Sequence, residues 1–70
     1  MNSHLLLNKD LYDISCLNEA IHAFSKIALI SVREDQQYWI CSFIETKTAV
    51  EKTIFEFENY LIAVMNRRGE

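Results

Sequence analysis

Glycine occurs once in these 70 residues and proline not at all. A chain so poor in both has no Gly-rich loop to cradle a phosphate and favours regular elements joined by short connections. Cysteine is scarce as well. Cys16 and Cys41 fall in different predicted elements and show no metal-ligand spacing. They form a disulfide only if the fold brings them together, and buried free thiols are the simpler expectation. Seven basic residues stand against ten acidic ones, for a formal charge of −3. The basic residues are dispersed, with only Arg67 and Arg68 adjacent, so no electrostatic footprint for nucleic acid is visible. No signal peptide is expected, and no apolar run in the sequence approaches the roughly 18 residues of a membrane span. A reduced cytoplasm is the expected setting.

Apolar residues are what the chain does have, half of the total. That fraction excludes disorder. The chain is read as one small α+β domain, residues 1–70. A chain this short buries only roughly 60% of its unfolded surface, so its core is marginal unless a metal, disulfides or a second chain helps.

Five elements are expected. Residues 4–8 read as a short strand, followed by the turn-like Lys9-Asp10. A helix then reaches about Ser25, with Asp13 or Ser15 as N-cap, because either side-chain oxygen can accept a free first-turn N–H. Ile14, Leu17, Ile21 and Phe24 form its apolar stripe with Ala20 alongside, while Cys16, Glu19, His22, Ala23 and Lys26 fall off it. A hairpin of residues 27–33 and 38–44 follows, joined across Glu34-Asp35-Gln36-Gln37. Thr48-Ala-Val-Glu51 is a capping-box pattern and opens a last helix running to about Arg67, with Gly69 available to stop it. Its stripe is Val50, Ile54, Phe57, Leu61 and Val64. Phe55 and Ile62 lie roughly 110–130° round the helix from that stripe, a second apolar facet beside Glu51 and Glu58.

The order strand, helix, strand, strand, helix predicts an α+β fold, β-α-β-β-α. It is a three-stranded sheet with two helices on one face, a ferredoxin-like layout lacking its last strand. A right-handed crossover through the first helix makes strands one and two parallel. The missing strand leaves a sheet edge uncovered.

The hairpin register decides which side chains meet the helices. A two- or four-residue loop pairs Val32 with Trp39, Ile30 with Cys41 and Ala28 with Phe43 on one face. The other face then carries Ile27, Leu29, Ser31, Arg33, Tyr38, Ile40, Ser42 and Ile44. A one-residue slip would set Arg33, Ser31 and Leu29 beside Trp39 and Phe43, a poorer core. With the even loop the first face is wholly apolar and the second still rich in branched aliphatics. A sheet with helices on one side should instead alternate cleanly between apolar and polar. Two helices cannot cover both faces, so one surface is left for a partner.

No catalytic constellation is legible. His4 and His22 sit in different elements, without Cys, His or carboxylate partners at a repeating helical metal spacing. Glu34-Asp35 read as a turn, and Glu51, Glu56 and Glu58 as a solvated helix face. Ser31 and Ser42 are expected as cross-strand neighbours with no base nearby. Neither enzyme activity nor a cofactor is expected. Trp39, Phe43 and Tyr38 invite comparison with RNA-binding sheets, where aromatics stack on bases. The even register turns Trp39 and Phe43 inward and leaves only Tyr38 outward, so a nucleic-acid-binding module is the alternative reading.

Leu11-Tyr12, Glu19-Ala20-Ile21, Trp39-Ile40 and above all Phe57-Glu-Asn59-Tyr-Leu61, followed by Arg67, carry a family resemblance. Over nearly its whole length the chain resembles the HxsD-like proteins of His-Xaa-Ser peptide-maturation systems. The resemblance implies a non-catalytic accessory encoded beside radical S-adenosylmethionine enzymes that modify a ribosomally made peptide. Iron–sulfur chemistry would belong to those enzymes, because this chain lacks the cysteine cluster such a centre needs. The expected role is an adaptor for such an enzyme or its precursor peptide, or one that pairs with itself as a homodimer. Ile27, Leu29, Tyr38, Ile40 and Ile44 are the expected contact residues, with Phe55 and Ile62 adding to the surface. Nucleic acid and membrane are not expected partners.

Overall fold

Helix and strand alternate because the apolar period switches along the chain, and the computed structural model, which describes residues 3–68, shows where each switch falls. The elements are β1 (His4–Asn8), α1 (Ile14–Ala23), β2 (Ala28–Glu34), β3 (Tyr38–Thr46) and α2 (Val50–Arg68). The strands form one antiparallel sheet in the order β1-β3-β2. Both outer strands run against β3 and therefore parallel to each other, as the ferredoxin-like layout without its last strand requires. Gly69, expected to stop the last helix, lies outside the described residues.

The core forms between one sheet face and the two helices. Leu7, Cys41 and Phe43 from the sheet meet Cys16, Leu17, Ala20, Phe24, Phe57, Leu61 and Val64 from the helical layer. Phe57 is fully buried and stands edge-on to Phe24 at 5.4 Å and to Phe43 at 5.3 Å. One ring thus ties α2 to the end of α1 and to the middle strand, in the edge-to-face geometry aromatic quadrupoles favour. The helices lie antiparallel: Phe24 at the end of α1 also meets Tyr60, while Glu19, midway along it, takes Arg67 at 3.2 Å and Arg68 at 2.5 Å.

Several local expectations are corrected. The hairpin loop is even, but the pairing is displaced by two residues: Val32 opposes Cys41, Ile30 opposes Phe43, and Glu34 opposes Trp39. The Asp35 carboxylate accepts from the N–H groups of Gln37 at 2.8 Å and Tyr38 at 2.7 Å. This Asx-type turn draws the loop down to Gln36-Gln37. A two-residue displacement keeps every side chain on its face, so Trp39, Cys41 and Phe43 share the helix side with Val32 and Ile30 as expected. At the far end the register shifts between Leu29 and Ile30, so that Leu29 opposes Glu45 and Ala28 opposes Thr46. Ile44 is the extra residue of this bulge. The strands accordingly span 28–34 and 38–46, and Ile27 belongs to the turn before β2.

On α1, Asp13, one of the two expected residues, is the N-cap, but its side chain makes no capping hydrogen bond; its carbonyl accepts from the Leu17 N–H at 3.0 Å. The helix ends at Ala23, two residues short of Ser25. Its buried line is Cys16, Leu17, Ala20 and Phe24, while Ile14 is exposed and Ile21 half-buried. The stripe is rotated because a thiol packs as a small hydrophobe and takes the place given to Ile14. The capping box also fails. The Thr48 hydroxyl lies 2.9 Å from that of buried Thr53, which donates to the Ala49 carbonyl at 3.1 Å. The Ala49 carbonyl also accepts the Thr53 N–H at 3.0 Å, so the helix frame starts one residue later than the box assumes.

Candidate docking surface

The face of the sheet turned away from the helices is built row by row by the strand pairing. Asn8 and Tyr38 form one row, Leu6, Ile40 and Arg33 the next, and His4, Ser42 and Ser31 the third. Leu29 and Glu45 close the far end, beside the bulged Ile44. Three large aliphatics stand open here: Leu6 is 58% exposed, Leu29 55% and Ile44 59%. Tyr38 and Ile40, between them, are half-buried, and Ile27 is exposed in the turn leading to β2. Scattered exposed aliphatics are ordinary, but several on one sheet face mark a contact surface.

The expected contact residues therefore divide. Leu29, Tyr38, Ile40 and Ile44 are brought together on the open face, with Ile27 at its margin. Phe55 and Ile62 are both exposed, yet they lie on the outer side of α2, in the other layer. They do not extend the sheet surface. Leu6 belongs to it and was missed, because Leu5-Leu6-Leu7 is an uninterrupted apolar run that hides which residue turns outward. The ladder resolves it: Leu7 pairs with inward Trp39 and is buried, while Leu6 pairs with Ile40.

The aromatic side chains that would serve a nucleic-acid site point the other way. Phe43 is buried, and the Trp39 indole N–H donates to the Tyr12 carbonyl at 3.0 Å. Lys9 lies 4.8 Å over the Trp39 ring and pairs with Glu34 at 2.6 Å. Ser31 and Ser42 are cross-strand neighbours. Among the described residues no group of three or more His, Cys, Asp or Glu side chains comes together to hold a metal. Cys16 and Cys41 are both buried and both free. Burial pushes the Cys41 thiol up to about 11, away from the reactive thiolate. The Ser15 hydroxyl holds the Asp13 carboxyl below its usual range, and the Gln37 and Tyr38 N–H groups do the same for Asp35. Glu19 raises Arg68. The Asp13, Asp35 and Arg68 contacts are turn and helix-packing contacts at the surface.

A three-stranded antiparallel sheet, covered on one face by two helices and bare on the other, defines a small α+β protein with an exposed apolar sheet surface. The chain belongs to the HxsD family: the model of that family, described as His-Xaa-Ser system protein HxsD, matches residues 7–69, nearly the whole chain. Membership associates it with the His-Xaa-Ser system. No curated protein and no solved structure matches the chain. No helix among the described residues is long and apolar enough to cross a membrane.

Proposed function

We propose that this protein is a non-catalytic accessory of peptide maturation that docks on a radical S-adenosylmethionine enzyme of the His-Xaa-Ser system through its open sheet face. The observation that carries the reading is that Leu6, Leu29 and Ile44 all stand exposed on one face of the sheet, Leu6 at one end beside Ile40 and Leu29 with Ile44 at the other. Water contact with these side chains is unfavourable by about 25 cal/mol per Å² of apolar surface, which a complementary protein surface relieves. A broad apolar face suits a folded enzyme surface better than a single extended peptide, which would instead pair with main-chain groups along a sheet edge. The accessory role, the enzyme partner and the absence of catalysis in this chain all belong to this reading. It is supported by membership of a family of small proteins of the His-Xaa-Ser system.

The test is co-expression with the proteins encoded beside it. Wild-type chain is expected to co-purify with the enzyme, and the double variant Leu29→Asp, Ile40→Asp to lose it. Both positions lie on the open face, so the far-ultraviolet circular dichroism of the variant should stay that of the wild type. Undiminished co-purification of a folded double variant would remove the sheet face from the mechanism.

A further inference from the structure

On β2 and β3 the open face is self-complementary about its middle row, with an aliphatic on β3 to either side and opposite charges at the two ends. On β2, Arg33 and Leu29 each lie two residues from Ser31, and on β3, Ile40 and Ile44 each lie two residues from Ser42. Ser31 and Ser42 face each other across the ladder. Arg33 sits at one end, opposite Ile40, and Glu45 at the other, opposite Leu29. Both charged residues are exposed, and neither enters an ion pair among the described residues.

We propose that a second copy of this chain occupies the face, stacked sheet on sheet about a two-fold axis that crosses the strands at the Ser31–Ser42 row. This rests on the reading of that face as a docking surface and names an occupant for it. The operation lays β2 over β2 and β3 over β3, so Ile40 of one copy falls on Ile44 of the other. Arg33 falls on the partner copy's Leu29, within reach of the Glu45 beside it, and the same ion pair recurs on the other side. On β2 and β3 small serine side chains lie on the axis, so the aliphatics on either side of them can interdigitate, while His4 of β1 meets its own copy at the margin of the contact. Such isologous contact is the commonest form of closed association, and aligned stacking suits two twisted sheets.

Magnitude decides how strong the pair is. Three strands about 4.8 Å apart and about six residues long give each face a footprint of roughly 15 by 20 Å. Stacking two such faces removes on the order of 1,000 Å² or less, below the ~1,200–2,000 Å² of stable complexes. The dimer is therefore weak and exchanging, and an enzyme offering a larger complementary surface displaces the second copy.

Sedimentation velocity on the purified chain, from about 10 µM to about 1 mM, tests this. Wild type is expected to pass from monomer to dimer across that range. Arg33→Glu alone or Glu45→Arg alone sets like charges against each other twice per dimer and should weaken association by about tenfold. Mixing the two single variants should restore it, because each charge then meets its opposite on both sides, and the double variant R33E/E45R should also recover. Circular dichroism confirms that each exposed-site variant is folded. Monomer at every concentration, association indifferent to the reversals, or failure of both the mixture and the double variant would each overturn the dimer. A chain that stays monomeric yet still co-purifies with the enzyme, and loses it in the Leu29→Asp, Ile40→Asp variant, sinks the second copy while the docking reading stands.

Discussion

Cys41 shows how little chemistry a side chain retains when the fold closes over it. It sits on the middle strand, flanked in the ladder by Leu5 and Val32, with no exposed surface. A thiolate there would lose its hydration without gaining a cation, so burial lifts the thiol from its usual 9.0 to about 11. The folded chain consequently holds a proton that the unfolded chain releases at lower pH. The associated stability is complete below about pH 9 and is lost as pH rises through about 11. Thermal melts between those limits should fall more steeply for wild type than for Cys41→Ala, whose overall stability is lower but lacks this titration. Equal slopes would show that burial does not govern the thiol. The disulfide left open by the sequence is absent: both cysteines are free thiols packed in the core.

At the scale of an element, α2 separates the contacts that hold the molecule together from those that do not. Phe57 is fully buried between Phe24 and Phe43, while Phe55 on the same helix is 65% exposed. Removing a buried phenylalanine costs about 3–5 kcal/mol, and a core of this size supplies only about 3–5 kcal/mol in all. Phe57→Ala should therefore leave the chain largely unfolded at 25 °C, whereas Phe55→Ala should shift stability by less than about 0.5 kcal/mol in urea titrations. Comparable losses in the two variants would contradict the packing described. That contrast was legible beforehand, because 3.6-residue periodicity on a long helix separates Phe57 from Phe55 unambiguously. Element order and face assignment were legible for the same reason: parity alone puts Trp39, Cys41 and Phe43 on one side of β3. What escaped were features that periodicity does not encode. The hairpin pairing depended on Asp35 accepting two main-chain N–H groups, and the bulge at Ile44 has no glycine to announce it. Cys16 displaced Ile14 on α1 because size and shape, not hydropathy rank, decided which fitted beneath α2. Thr48 lost its box because Thr53 offered a buried hydroxyl. Leu6 was concealed in a run of leucines, and with it one of the most open positions of the docking face.

Across the whole molecule the two layers are unequal: the helical side is closed by a shared aromatic core, and the opposite side of the sheet is bare. This asymmetry separates protein docking from the rival reading, a sheet that stacks bases. Base stacking needs aromatic faces in solvent and cations to meet phosphates. Trp39 is turned into the helical layer, with its N–H held by the Tyr12 carbonyl and its ring covered by Lys9. Tyr38 is the sheet aromatic left on the outer face, and it is half-buried. The chain carries −3 overall, and Arg67 and Arg68 are both engaged by Glu19 across the helices, so phosphates would meet net repulsion. Titration with single-stranded DNA or RNA at low salt should therefore leave the intensity and position of Trp39 emission unchanged. The same emission should shift to longer wavelength on unfolding in guanidinium, which shows that the probe can respond. Quenching by oligonucleotide that fades with added salt would instead mean that Trp39 leaves its place against Tyr12, and the assignment of the bare face to a protein partner would have to give way.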